Sequence, residues 1–173
     1  MNTNRTIRSL ALLALAAALA LAGCGSDGSG TAYGGKSVAT TTEEAPAAAS
    51  GGGAAVLKVA DAPGVGPILV DARGFTVYDF HKDRGTTSAC YGACAGVWPP
   101  VLTDGAPRAR QGASAAQLGT TKRKDGTVQV TYAGHPLYTY AADKKPGEAN
   151  GHDIDSFGAE WYALQGSGQE AED

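Results

Sequence analysis

The sequence predicts an all-β fold: a small domain of two tandem β-hairpin or meander repeats sharing one core, behind a disordered tether. Three observations carry this. The stretch from Gly74 to Asp83 recurs from Gly134 to Asp143 at a constant offset of 60, which marks an internal repeat. Short runs of Val, Ile, Leu, Thr and aromatic residues alternate with Gly, Pro and Asp turn signals. No long segment shows the apolar period of an amphipathic helix.

The chain opens with a leader. Arg5 and Arg8 precede Leu10 to Leu21, a run almost entirely of Leu and Ala, and Leu21-Ala22-Gly23-Cys24 closes it. A basic start, a short apolar centre and small residues at the end are the anatomy of a secretory signal, here ending at a residue that can be lipidated. The apolar run is about a dozen residues long, too short for a membrane-spanning helix, which needs roughly 20. An ordinary cleaved signal would leave Cys24 a chance cysteine, and the small-small-Cys ending speaks against that. The stretch resembles bacterial lipoprotein precursors. That implies diacylglycerol on the Cys24 thiol, cleavage before Cys24 and acylation of the new amino group. Two or more acyl chains anchor a protein stably where one is marginal. The expected partner is therefore the lipid bilayer of a bacterial cell membrane, with the domain on its extracytoplasmic face. An envelope protein or small ligand of open identity is the expected further partner.

Loss of Arg5 and Arg8 with the leader takes the formal charge from −3 to −5. A mildly acidic chain without basic clusters excludes nucleic-acid binding as a natural role. The one basic run, Lys122-Arg123-Lys124, reads as a solvated turn. From Gly25 to about Ala54 the chain is mostly Gly, Ser, Thr and Ala, with no Leu, Ile, Phe or Trp. It cannot bury enough surface to order itself, and as a flexible coil it would reach roughly 30 Å. The expected organisation is a signal peptide over 1–23, Cys24 and the tether over 24–54, a β domain over 55–168, and an acidic tail over 169–173. Repeat 1 spans about 55–115 and repeat 2 about 116–168.

Within the domain, Val56 to Val59 reads as a first short strand. Pro67 to Asp71 is a second, Asp71-Ala72-Arg73-Gly74 a turn, and Phe75 to Phe80 the returning strand. In the second copy Gln117 to Thr121 is a strand, Asp125-Gly126 opens another through Tyr132, Ala133-Gly134 turns it, and Pro136 to Tyr140 returns. Trp161 to Leu164 closes the domain. Trp98 aligns with Trp161 once three residues are inserted. Residues i and i+2 of a strand share a face, so Tyr78 with Phe80, and Tyr138 with Tyr140, form an aromatic pair in each copy. Asp83 and Asp143 lie just past those strands, where a carboxylate can accept N–H groups of a turn.

These motifs carry a resemblance. Two Tyr-x-aromatic-x-x-Asp motifs, the stretch Ser88 to Ala95 with Cys90 and Cys94, Trp98-Pro99-Pro100, Pro146-Gly147, Gly151 and Trp161-Tyr162 occur in order. The chain resembles the bacterial lipoprotein family defined by a Tyr-x-(Phe/Trp/Tyr)-x-x-Asp motif, also called secreted repeats of unknown function. The resemblance covers essentially the whole domain. It implies a fold and a location but no reaction. The acidic Asp153-Ile154-Asp155 departs from it.

The remaining chemistry is sparse. Of three cysteines, lipidation of Cys24 leaves Cys90 and Cys94, and an even remainder outside the cytoplasm favours a disulfide. The other reading is a redox-active or copper-binding Cys-x-x-x-Cys, with His81, His135 or His152 as a third ligand, because soft thiolates select Cu(I). No cofactor is expected otherwise. The loop from Asp143 to Asp155 holds Glu148, Asn150, His152, Asp153 and Asp155 among glycines, oxygens of the kind calcium takes, without the spacing of an EF-hand. No Gly-x-Ser-x-Gly, Walker loop or His-Glu-x-x-His occurs. The expected function is thus a membrane-anchored, non-catalytic binding or envelope-structural module. A copper-binding or electron-transfer accessory protein is the alternative, and an envelope-polymer enzyme the second alternative.

Overall fold

The computed structural model describes residues 52–172. The leader, Cys24 and the tether up to residue 51 lie outside the described residues. Strands β1 (Val56–Ala62) and β2 (Gly66–Asp71) form an antiparallel hairpin, and β4 (Arg108–Ala109) adds to β1 in parallel. A second sheet joins β3 (Tyr78–Phe80), β9 (Ala159–Ala163) and β8 (Ile154–Ser156). A third joins β5 (Leu118–Lys122), β6 (Val128–Tyr132) and β7 (His135–Pro136). Among the described residues the fold is all-β but for a short helix, α1 (Ala93–Val97), and one 3₁₀ turn. No helix among the described residues is long and apolar enough to cross a membrane.

The turns have clear causes. Asp71 Oδ1 accepts the N–H groups of Arg73 and Phe75, and Gly74 supplies φ +93°. Ala133 and Gly134 both have positive φ, 50° and 89°, as a two-residue type I′ hairpin requires. Phe157 and Gly158 repeat this between β8 and β9, at 59° and 85°.

The strand expected over Phe75–Phe80 forms differently from the sequence reading. It meets the preceding strand at one bridge, Val70 with Thr76. Its far half, β3, instead pairs with β9 of the other repeat, Phe80 opposite Trp161. The second copy does the converse. Thr139 and Ala141 donate to the carbonyls of Pro99 and Val97, at 2.9 Å each. Each Trp-bearing segment therefore pairs with the motif strand of the other repeat. The two motif strands also meet, because Tyr78 and Tyr138 exchange both backbone hydrogen bonds, at 2.8 and 2.9 Å.

This crossing puts four rings in a row. Phe80 stacks on Trp161 (centroids 3.9 Å apart), Trp161 on Trp98 (4.0 Å), and Trp98 on Tyr140 (4.2 Å). Tyr78 meets Trp98 edge-on and Tyr138 meets Trp161 edge-on. Aromatic pairs of this kind contribute about 0.5–1.5 kcal/mol each beyond their buried area. The stack anchors one buried cluster with Ile68, Val70, Cys90 and Ala163. A second cluster, Leu57, Leu69, Val77, Val130, Tyr132, Leu137 and Leu164, lies apart from it. Both draw on both repeats, so neither repeat has a core of its own.

Two expectations are corrected. Arg123 of the basic run is buried, its guanidinium donating to Ser88 Oγ, Gln129 Oε1 and the Cys90 carbonyl. It is a clamp between loops, and its charge is accommodated by those acceptors, by Asp125 Oδ2 3.4 Å from Nε, and by the Tyr91 ring, 4.3 Å from the guanidinium carbon. The acidic tail also belongs to the domain. Gln165 and Gln169 close a turn, Glu170 bridges to Leu164, and Ala171 is buried.

The stack leaves no room at Gly151, where a Cβ would sit 2.8 Å from Trp98 Cη2 and 3.0 Å from Tyr78 Cζ. Gly151→Ala is expected to destabilise the domain by about 1–3 kcal/mol through overpacking. Urea unfolding followed by tryptophan fluorescence measures this, and an unchanged midpoint would contradict the packing.

Candidate functional site

The motif residues are brought together, and in a crossed arrangement. Tyr78 donates its hydroxyl to Asp143 Oδ2 at 2.6 Å, and Tyr138 donates to Asp83 Oδ2 at 2.8 Å. Each tyrosine thus serves the aspartate of the other motif. The second oxygen of each carboxylate caps its own loop: Asp83 Oδ1 accepts the Ala89 N–H and Asp143 Oδ1 accepts the Asn150 N–H. Burial, then the Asp143 hydrogen bond and charge, push the Tyr78 hydroxyl far above its ordinary range. Burial and the Asp83 charge do the same to Tyr138. Both phenols stay protonated donors at any physiological pH. Burial raises Asp83 and Asp143 above the ordinary carboxylate range, against the hydrogen bonds they accept. The motif is a latch within the fold, with no open reactive atom.

Other candidates are likewise occupied. Cys90 and Cys94 are joined in a disulfide, which removes the thiolates that a Cys-x-x-x-Cys copper site would use. Ser88 Oγ is held by Arg123 and contacts Tyr138 Oη at 2.8 Å. In the loop from Asp143 to Asp155, Glu148 Oε2 accepts the N–H groups of Lys144 and Lys145. His152 Nδ1 accepts from Ala163 N–H. Among the described residues that loop's acids form no convergent group of metal-ligating atoms.

One group does converge. Asp79, His81 and Glu170 bring one ligand atom each to within 4.8 Å of one another. All three line a surface depression of about 380 Å³, and Asp79 and Glu170 with His135 also line an adjoining one of about 500 Å³. Asp79 lies on β3, facing the Val77 side of the strand. His81 follows β3 directly. His135 is aimed by the I′ turn of Ala133-Gly134, and Glu170 by the bridge to Leu164. Asp79 is 1% exposed, yet neither carboxylate oxygen is hydrogen-bonded by another residue. His135 Nδ1 lies 3.2 Å from its Oδ2. His81 Nε2 is 2.7 Å from Glu170 Oε1, and its Nδ1 is 3.3 Å from Glu160 Oε2. Burial pushes the Asp79 carboxyl up to about 6, against the pull of His135 and helped by Glu170. Burial lowers the His81 imidazole, but the Glu170 hydrogen bond and the charges of Glu170, Asp79 and Glu160 raise it overall. A larger groove of about 780 Å³ beside Leu102, Thr120 and Val128 has Asp104 as its one ionisable lining residue.

Of the histidines named from sequence, His81 and His135 meet at this depression and His152 sits elsewhere. Sequence reasoning missed Asp79, Glu160 and Glu170. A signal was available: at the offset of 60, Asp79, His81 and His135 stand against Thr139, Ala141 and Phe75. The cluster forms where the two copies differ.

The family model described as a secreted repeat of unknown function matches residues 60–102 and 119–165, one match per copy. The chain belongs to this family. No curated protein and no solved structure matches it. The secreted-repeat assignment accords with an extracytoplasmic location and comes with no reaction, so the site has to be argued from its own geometry.

Two measurements test the crossed latch and the disulfide. A double-mutant cycle on Tyr78→Phe and Asp143→Asn should show coupling of about 0.5–3 kcal/mol, as expected of hydrogen-bonded partners. The same-motif cycle of Tyr78→Phe with Asp83→Asn should be closer to additive. Larger coupling within one motif than across the two would refute the crossed latch. Reducing the Cys90–Cys94 bridge should cost about 2 kcal/mol by the chain-entropy model for so small a ring, read as a lower urea midpoint in reductant.

Proposed function

We propose that this secreted-repeat protein is a non-catalytic binding module, held by lipidated Cys24 on the extracytoplasmic face of a bacterial cell membrane. One observation carries the binding reading. Side chains that recur in both copies are spent on the latch, the ring stack and the loops, while three that differ between copies gather at one open depression with Glu170. The gathering of these three non-recurring ionisable side chains at one depression supports recognition there. The depression does bring histidine and carboxylate together, His81 with Glu170 and His135 with Asp79, as the envelope-polymer enzyme alternative requires, but Ser88 is tied to Arg123 and Tyr138 and not to a histidine base, so the binding reading is preferred.

The anchoring half of the proposal rests on the leader. A chain ending its apolar run in Leu21-Ala22-Gly23-Cys24 carries a lipidation signal, and the Gly-, Ser- and Ala-rich stretch after it would let the domain stand off the bilayer. Cells fed a clickable palmitate analogue should label the wild-type protein and not Cys24→Ser, with the mature chain beginning at Cys24 by intact mass. Equal labelling of both proteins, or no label on the wild type, would reject lipid anchoring.

A further inference from the structure

We propose that Asp79, His81 and Glu170 bind one divalent transition-metal ion of the zinc class, with Glu160 and His135 as positioning residues for the ligands. The inference deepens the binding reading above by naming what the depression takes.

The first argument is convergence. Three ligand atoms from β3, the residue following it and the C-terminal turn lie within 4.8 Å of one another. Tetrahedral zinc, with bonds of about 2.0–2.1 Å, sets neighbouring donors roughly 3.3 Å apart. The gap is closed by small movements of His81 and Glu170, which are partly exposed, around a fixed Asp79. The second argument is the state of Asp79. A buried carboxylate is costly unless it is paired, hydrogen-bonded or coordinating a metal. Neither Asp79 oxygen is hydrogen-bonded by another residue, and the ring of His135, 3.2 Å from Oδ2, is itself 49% exposed.

The third argument is charge. A divalent ion would offset two of the three carboxylates, Asp79, Glu160 and Glu170, that the metal-free cluster sets around shared histidines. The fourth is the orientation of His81. Its Nε2 faces Glu170 and its Nδ1 faces Glu160. With metal on Nε2, Glu160 remains on the other ring nitrogen, the outer-shell arrangement that fixes the tautomer of a ligating histidine.

Donor chemistry selects the ion. One imidazole and two carboxylates, with no thiolate, suit zinc or copper(II) in preference to Cu(I), and the imidazole disfavours calcium and magnesium. The counterpart positions Thr139 and Ala141 offer no such donors, so the duplication does not repeat the cluster among the described residues.

The test is calorimetric titration of the full-length exported protein, purified in detergent without a histidine tag. ZnCl2 should bind one-to-one, CuCl2 should compete for the same site, and CaCl2 should give no comparable binding. His81→Ala and Glu170→Gln should each weaken zinc at least tenfold, and Glu160→Gln about tenfold, the lower end of outer-shell effects. His152→Ala should bind like the wild type. Asp79→Asn should also lose zinc. If its near-UV circular dichroism shows a disturbed ring stack, the surface variants His81→Ala and Glu170→Gln decide the matter. No zinc binding by the wild type, preference for calcium, or wild-type affinity in His81→Ala would overturn the proposal and leave the cluster as an ion-pair network. The lipid-labelling result is independent of zinc. A metal-free protein that is still palmitoylated defeats this inference alone, and a zinc-binding protein without lipid defeats the anchoring alone.

Discussion

Everything in this domain depends on two hydrogen bonds that cross between its halves, Tyr78 to Asp143 and Tyr138 to Asp83. A tyrosine that bonded the aspartate of its own motif would let each repeat close on itself. Crossing them makes each loop's capping carboxylate depend on the other repeat's strand. The backbone does the same, since Tyr78 and Tyr138 pair directly. The duplication is therefore one cooperative unit, and removing a buried partner from it exposes a desolvated group with no replacement.

The ring stack follows from that constraint. Once the motif strands lie side by side, Phe80 and Tyr140 fall at the two ends of the Trp161–Trp98 pair. Both indole N–H groups then reach Ser156, one to its hydroxyl and one to its carbonyl. The disulfide and the buried Arg123 hold the loop that carries Trp98 against this stack from the other side. Each device solves the same difficulty: a small domain with long loops must satisfy buried polar groups from distant parts of the chain.

Against this symmetric background the Asp79 cluster stands out as a local departure. It sits on the same strand as the latch, one residue from Tyr78, and on the opposite face. The strand that holds this buried carboxylate beside His135 cannot slip without breaking the Tyr78 and Phe80 contacts. Departures from local consistency on an otherwise rigid framework are where functional sites are looked for first.

The sequence by itself determined the all-β class, the duplication and the family. A repeat at constant offset and alternation between strand and turn residues are local and readable one position at a time. It also identified the members of the latch, the aromatic pairs and the two cysteines, because each motif carries its residue types in order. Only the tertiary structure decided who pairs with whom. Residue spacing cannot tell Tyr78–Asp143 from Tyr78–Asp83, since the two differ only in which copy supplies the carboxylate. Nor could charge reveal that Arg123 is buried while Lys122 and Lys124 beside it are exposed, or that Glu170 in an acidic tail turns back onto β3. Those outcomes depend on long-range packing, in which a residue's environment is set by segments far away in the chain.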